Sequence, residues 1–260
     1  MTFSLRLTAD LILALAARAI GARRDHPLIL QLSIDDVLDS AFASQTASGQ
    51  ETANGFSQPL AARLSQNRSP IIWITGSEPL EHPHVARFTN AIAASGRHIF
   101  LETSGASLKP RLHEFQPSSR FYFVIRLDGR NPSGDLRGAR PAELRTGLEA
   151  LRMGRLAGFF TCARLVLRPD MASGELEELH AEVCKLDVDG FMITYAPLFP
   201  GLATETGRLR RRLLNRRWAL LSSLLDVVAP PAALRSCPER ERSPLPESQR
   251  DSLGEGAEAG

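Results

Sequence analysis

The sequence predicts an α/β protein built on a parallel sheet, either a partial (β/α)6 TIM-like barrel or an open doubly wound sheet. Six short apolar runs are bounded by Gly or Pro, as expected of parallel strands buried on both faces. Helical patterns fall between these runs, and strands that alternate with helices form βαβ units. A chain of 260 residues is also long enough for one barrel-sized domain.

The predicted strands begin or end at residues that interrupt regular structure. Pro27 and Pro70 open the first two strands, and Gly76 closes the second. The six predicted strands cover residues 27–34, 70–76, 97–105, 120–129, 158–170 and 189–197.

Apolar residues at helical spacing predict the elements between the strands. The first such helix ends at Gly96, and the next begins at Pro141, which is a favoured first helical position. The last helix carries a run of arginines. The predicted helices cover residues 84–96, 141–158, 174–190 and 204–228.

We predict four parts along the chain. The first, residues 1–25, is an amphipathic helix that either packs on the domain or lies on a lipid surface. Its apolar run is interrupted by Asp10 and Arg18, which argues against a signal peptide. The other predicted parts are a barrel in 26–200, a basic helix in 201–229 and a disordered tail in 230–260.

Composition excludes several classes of protein. A net charge of +2 and few aromatic residues among the arginines argue against nucleic-acid binding. The three cysteines form no C-x-x-C pair, which argues against a disulfide framework and predicts a reduced, cytoplasmic protein. The sequence has no run of about 18 apolar residues, so we expect no membrane span.

Acidic residues mark the ends of the predicted strands. In parallel α/β folds the chemistry lies where strands end and loops begin. Five of the six strand ends carry an acid, which predicts one binding face without identifying its ligand. These acids are Asp35 and Asp36, Glu78, Glu102, Asp128 and Asp170.

The loop GSEPLEHP, residues 76–83, suggests a ligand. A buried strand that ends in Gly-Gly-Glu-Pro-Leu, followed by His-Pro and a helix, is the second-strand signature of the radical SAM superfamily. The loop resembles that signature, with Ser77 in place of the second glycine. The resemblance implies that Glu78 and its neighbours face the amino group of S-adenosylmethionine (SAM).

The resemblance extends over roughly residues 1–220 and is closest to the hopanoid-biosynthesis branch, the adenosylhopane synthase type. HPLILQL is similar to the first strand of that branch, FLETSGASLKP to its third strand and turn, and KLDVDGFMITYAP to its sixth strand. This resemblance implies a partial barrel of the radical SAM type. The cofactor-binding residues that it implies are Gly76, Ser77, Glu78, Pro79, Thr103, Arg126 and Asp128.

One part of the family pattern is missing. The family carries C-x-x-x-C-x-x-C after its first strand, where three thiolates hold a four-iron four-sulfur cluster. In this chain those positions hold Leu38, Phe42 and Gln45. Leu and Phe cannot ligate iron, and Gln is a poor ligand for a soft centre, so we predict that the cluster is absent.

Arg126 is a further departure from the family, which more often has a small polar residue or His at that position. If its side chain points inward, the cation fills the space left by the cluster. It could equally pair with Glu78, Glu102 or Asp128.

Two site features have simpler interpretations. Glu78 could cap the helix predicted to begin at residue 84, because carboxylates favour helix N-termini. The histidines of EHPH, residues 81–84, could suggest a metal site, but Pro83 favours a turn and we predict no metal there.

Three functions are compatible with these residues. The first is a radical SAM-like protein without catalytic activity, which serves as an accessory to a radical SAM or lipid-modifying enzyme. The second is an enzyme that keeps SAM for non-radical chemistry, supported by GSEP and the other strand-end acids. The third is a protein held peripherally at a membrane by its first helix and its arginine-rich helix. We favour the first.

Overall fold

The computed structural model describes residues 4–21, 27–34, 64, 66–127, 141–167, 169, 171, 173–195 and 200–227. The described residues between 4 and 227 form one compact unit. The predicted tail, residues 230–260, lies outside the described residues, and the four-part division of the chain stays a prediction.

The core of the protein is a six-stranded parallel sheet that curls into a half-barrel. Its strands lie in sequence order, β1-β2-β3-β4-β5-β6. A doubly wound sheet would reverse its strand order at a switch point, so the observed order decides for the barrel. This confirms the predicted partial (β/α)6 TIM-like barrel, and the assignment to the radical SAM type stays a prediction. The strands are β1 (Ile29–Ser33), β2 (Ile71–Thr75), β3 (His98–Thr103), β4 (Phe121–Arg126), β5 (Phe160–Leu167) and β6 (Gly190–Tyr195).

Helices follow or precede the strands as predicted, and one precedes the barrel. Short 3-10 turns occupy Pro79–Glu81, Leu112–Glu114 and Pro200–Leu202. The α-helices of the described residues are α1 (Leu5–Ala19), α2 (Val85–Ala94), α3 (Leu108–Arg111), α4 (Pro141–Leu156), α5 (Ser173–Lys185), α6 (Ala203–Leu213) and α7 (Arg216–Val227). None of these helices is long and apolar enough to cross a membrane.

The central strands are buried along their whole length, which explains their continuous apolar runs. Every residue of β2, β3 and β4 is buried. Stacked rings run across four strands: Trp73 lies on Phe100 with centroids 5.4 Å apart, and Phe100 lies on Tyr122 at 4.5 Å. Tyr122 in turn stacks on Phe160 at 5.0 Å. This ladder joins residues in register and helps to align the strand ends at one edge.

The predicted single helix over 204–228 is wrong. The structure has two helices there, α6 and α7, separated at Leu214 and Asn215. The side-chain oxygen of Asn215 accepts hydrogen bonds at 3.1 Å from the backbone N–H groups of Arg217 and Trp218. This N-cap begins a new helix, and the apolar periodicity does not reveal it because it continues through both segments.

The first helix packs on the domain and is held by a polar cluster at the amino edge of the sheet. Leu7, Leu11 and Ala14 of α1 are buried. The carboxylate of Asp10 lies 2.8 Å from Nε2 of the buried His98 and 2.9 Å from the Arg120 guanidinium.

We expect acid to weaken this attachment. Burial lowers the pKa of His98 below 6.5, and the charges of Arg120 and Arg6 lower it further, against the opposing effect of Asp10. Between the folded pKa and 6.5 the unfolded chain therefore binds a proton that the folded chain does not. Stability should then fall as the pH drops through this window.

Urea unfolding at several pH values, compared between wild type and His98→Gln, measures this effect. The variant should lose the part of this pH dependence that comes from His98, whatever its own stability, whereas His180, whose pKa burial also lowers, contributes equally in both proteins. Asp10 does not interfere: burial raises its pKa, but the hydrogen bond from His98 and the charge of Arg120 bring it below 3.8, so it acts at lower pH. An unchanged pH dependence in the variant would contradict the assignment to His98.

Candidate functional site

The ends of β2 to β5 bring charged residues together inside the half-barrel. A Cβ at Gly147 of α4, or at Gly105 in the loop after β3, would lie within 3.6 Å of Ile125, so the odd-numbered residues of β4 face the helices. Arg126 therefore points to the opposite, concave face. Arg126 is in register with Arg164 on β5, and the carboxylate of Glu102 on β3 lies 3.8 Å from the Arg126 guanidinium and 2.7 Å from that of Arg164.

The turn that follows β2 depends on Gly76. This residue has a φ of 145°, which side chains rarely adopt. The turn directs Glu78 to the end of β3, where the Glu78 carboxylate accepts hydrogen bonds from Thr103 Oγ1 at 2.5 Å and from Ser104 N at 2.8 Å. The Ser104 hydroxyl donates to the same carboxylate at 2.5 Å. Glu78 of the loop after β2 is thus fixed to Thr103 and Ser104 at the end of β3.

Glu78 does not cap the helix predicted at 84. Its carboxylate accepts a bond from Leu80 N at 3.4 Å and so caps the 3-10 turn of Pro79–Glu81. Helix α2 has His84 at its N-cap position, without a side-chain cap hydrogen bond. The prediction that Glu78 caps the helix at residue 84 is therefore wrong, because it caps the preceding 3-10 turn instead.

Arg126 lies against the predicted cofactor loop. Its guanidinium donates to the carbonyl of Gly76 at 3.2 Å and to the carbonyl of Ser77 at 2.8 Å. The same group lies 3.6 Å from the Glu78 carboxylate and 3.8 Å from that of Glu102. Of the three acids considered for Arg126, these two are its partners, and Asp128 lies outside the described residues.

Glu102 is the most buried member of the cluster, with 1% of its side chain exposed. It accepts a hydrogen bond from the indole Nε1 of Trp73 at 2.7 Å and from Arg164 at 2.7 Å. The Arg164 guanidinium also lies 5.8 Å from the centre of the Trp73 ring, a cation–π distance. Two carboxylates and two guanidinium groups thus form one buried network, which carries no net charge.

The sequence analysis missed part of this network. Glu102 was recognised as a strand-end acid but not as a site residue, and Arg164, Trp73 and Ser104 were not identified. One signal was available: Arg164 interrupts the apolar run of β5, and a charge within a buried strand requires a partner.

No set of metal ligands occurs among the described residues: no group of three or more His, Cys, Asp or Glu side chains could hold an ion there. The cluster positions Leu38, Phe42 and Gln45 lie outside that part of the chain. Cys162 is buried in β5, and burial raises the pKa of its thiol well above 9.0. A protonated thiol is a poor metal ligand. In the turn after Glu78, Nδ1 of His82 accepts a hydrogen bond from the His84 backbone at 3.2 Å.

Comparison with solved structures finds SuiB of Streptococcus suis. Against SuiB alone the chain is 13% identical with a TM-score of 0.45, over 59% of this chain and 38% of that one. Against SuiB bound to precursor peptide SuiA the values are 14% and 0.48, over 59% and 37%. The match thus spans well under half the length of SuiB. No model of a known protein family matches the chain, and no curated protein does.

Proposed function

We propose that this chain is a radical SAM-like protein whose cofactor half-site is closed by its own Arg126, and that it acts as a binding protein rather than as a catalyst. One observation carries this proposal. The guanidinium of Arg126 donates hydrogen bonds to the carbonyls of Gly76 and Ser77 and lies within ion-pair distance of the Glu78 carboxylate. The resemblance assigns this loop to the methionyl ammonium of SAM.

The closure follows from charge and hydrogen-bond capacity. An ammonium group bound by this loop needs acceptor oxygens and a negative charge. Thr103 and Ser104 already donate to both carboxylate oxygens of Glu78, and Arg126 supplies the balancing charge. A second cation at this position would be repelled by Arg126 in a buried, poorly screened environment. The residues present therefore do not fit SAM.

The residues do not fit the cluster either. Leu38, Phe42 and Gln45 offer no thiolate at the three positions where the family holds iron. The proposed role is therefore association with another molecule rather than a reaction that uses SAM or a cluster.

We further propose that the partner is an enzyme, either of the radical SAM superfamily or one that modifies lipids. This part rests on the resemblance to the hopanoid branch in the stretches KLDVDGFMITYAP and FLETSGASLKP. A scaffold kept without its catalytic ligands is suited to complete or regulate a related enzyme.

Calorimetric titration of the purified protein with SAM tests the closure. Wild type should bind with a Kd weaker than about 1 mM. Arg126→Ala removes the internal cation and opens space, so it should bind SAM at least about tenfold more tightly than wild type. Arg126→Met is the matched control, because it removes the charge but still fills the space, and it should gain less than the alanine variant.

Two results would overturn the proposal. Wild-type binding of SAM that Glu78→Gln abolishes would mean an intact half-site and would favour SAM-dependent non-radical chemistry. Anaerobic incubation with iron and sulfide that yields a four-iron cluster, seen by its absorption and electron paramagnetic resonance, would return the chain to the catalytic class.

A further inference from the structure

Helix α1 has a second apolar face, which is exposed. Leu7, Leu11 and Ala14 point into the core, yet large apolar side chains also cover the opposite side. At 3.6 residues per turn Leu15, with an exposed fraction of 42%, lies at one side of this face, and the other four exposed side chains fall within an arc of about 100°, with Ala9 and Ala16 between them. Their exposed fractions are 80% for Leu5, 59% for Ile12, 67% for Leu13 and 80% for Ile20.

Basic residues lie along one side of this face. Arg6 is exposed on α1 itself, next to Leu13 on the helix surface. Beside the helix, a cleft of about 280 Å³ is lined by Leu13 and Ala14 of α1 together with three arginines. These arginines are Arg68, Arg97 and Arg120.

The described residues that line the cleft carry an excess of positive charge. Among them Asp10 is the one acid, and it is already bound to His98 and Arg120. Arg97 donates to the carbonyls of Leu64 and Asn67, both at 2.5 Å, and these carbonyls carry no charge. The lining thus combines three cations with one anion beside an exposed apolar surface.

We propose that this face of the protein docks on a bilayer that contains anionic phospholipid. The side chains of Leu5, Ile12, Leu13 and Ile20 enter the interfacial layer, and the arginine cleft takes a headgroup phosphate. An exposed apolar helix face bordered by arginines is the combination that adsorbs to such surfaces. Arginine matches phosphate oxygens with two parallel donors.

Charge favours lipid over a second copy of the chain. A two-fold contact brings the same patch of both copies together, so the arginines around the face would meet each other. A bilayer with anionic headgroups presents the complementary sign. The docking face lies at the amino edge of the strands, because His98 opens β3. The Glu78–Arg126 network lies at the carboxyl edge. The proposal of membrane docking and the proposal of a closed cofactor half-site therefore concern different surfaces and can be tested independently.

Cosedimentation of the full chain with vesicles tests the proposal. The protein should bind vesicles of equal parts phosphatidylglycerol and phosphatidylcholine at least about tenfold more strongly than pure phosphatidylcholine. Raising the salt from about 0.1 M to about 1 M should weaken this binding, because the Debye length falls to about 3 Å.

Matched variants separate the apolar and the basic contributions. Ile12→Gln with Leu13→Gln should reduce binding at least about tenfold. The control pair Leu156→Gln with Leu220→Gln changes two exposed apolar residues on other helices and should bind as wild type does. Arg68→Gln should weaken binding only to the anionic vesicles, whereas Arg152→Gln, an exposed arginine of α4, should not.

Equal loss in the α1 variant and its control would overturn the proposal, as would equal binding to both vesicle types. Light scattering supplies an independent readout without lipid. A wild-type dimer that Ile12→Gln with Leu13→Gln converts to a monomer would assign the face to a second copy and also overturn it. All substituted residues are exposed, and circular dichroism verifies that the variants stay folded.

Discussion

Replacing Glu102 with glutamine is expected to lower the free energy of unfolding by about 3 to 5 kcal/mol. The carboxylate has 1% of its surface exposed and lies 2.7 Å from Arg164 and 3.8 Å from Arg126. Glutamine keeps the size and one acceptor for the Trp73 indole but removes the charge between two guanidinium groups. Both cations then remain in a buried environment, and Glu78 is the one carboxylate left in the described part of the network to balance them, which is the costly outcome.

Urea unfolding of Glu102→Gln and of Glu177→Gln tests this prediction with the same change of chemistry. Glu177 pairs with Arg212 at 2.8 Å, but this pair is largely open to solvent. Its loss should cost less than about 1 kcal/mol. Equal effects of the two substitutions would mean that the buried network contributes no more than a surface ion pair.

The Arg164→Met change in the Glu102→Gln background provides a second check. It removes one of the two unbalanced cations and fills its space with an apolar chain. The double variant should therefore be more stable than Glu102→Gln alone, because the residues share one network and their effects are not additive. If Arg164→Met lowered the free energy of unfolding as much in the Glu102→Gln background as it does in wild type, the charge-balance explanation would be contradicted.

Part of this network could be predicted from the sequence, and part of it could not. The strand ends were predictable, because Gly76 and the apolar runs before the acids mark them. An inward orientation of the Arg126 side chain was also one of the predicted possibilities, because side chains alternate between the two faces of a strand. Its choice between Glu78, Glu102 and Asp128 did not follow, since that depends on the register of β2, β3 and β4.

Contacts between distant parts of the chain were the least predictable. Asp10 and His98 are 88 residues apart, and nothing local in either segment indicates that they meet. Arg164 similarly reaches Glu102 across 62 residues. The break between α6 and α7 was missed for a different reason: a single capping residue, Asn215, outweighs an apolar period that continues on both sides.

These long-range contacts also link the site to the fold. Arg126 of β4 binds the loop after β2 and lies near Glu102 of β3, which in turn binds Arg164 of β5, so the loop and the alignment of these strands depend on one set of ions. A binding role can retain such a network, whereas a catalytic cofactor site requires its polar groups to be open to the cofactor.

Replacing Gly190 with alanine is expected to lower the free energy of unfolding by about 3 kcal/mol, at the upper end for overpacking. A Cβ at Gly190 would lie 2.3 to 2.5 Å from three atoms of the Trp218 ring. The indole is 1% exposed and cannot swing aside, so α7 must shift away from β6. The absence of a side chain at the start of β6 is what lets the last helix cover the sheet.

Urea unfolding followed by tryptophan fluorescence measures this effect, and Gly174→Ala is the matched control. A Cβ at Gly174, near the start of α5, meets nothing within 4 Å. Alanine is the better helix former, so the control should be neutral or more stable by up to about 1 kcal/mol. The identical substitution thus has opposite expected signs at the two positions. A Gly190→Ala variant as stable as the control would mean that Trp218 is not seated against β6, and that α7 does not depend on this contact for its position.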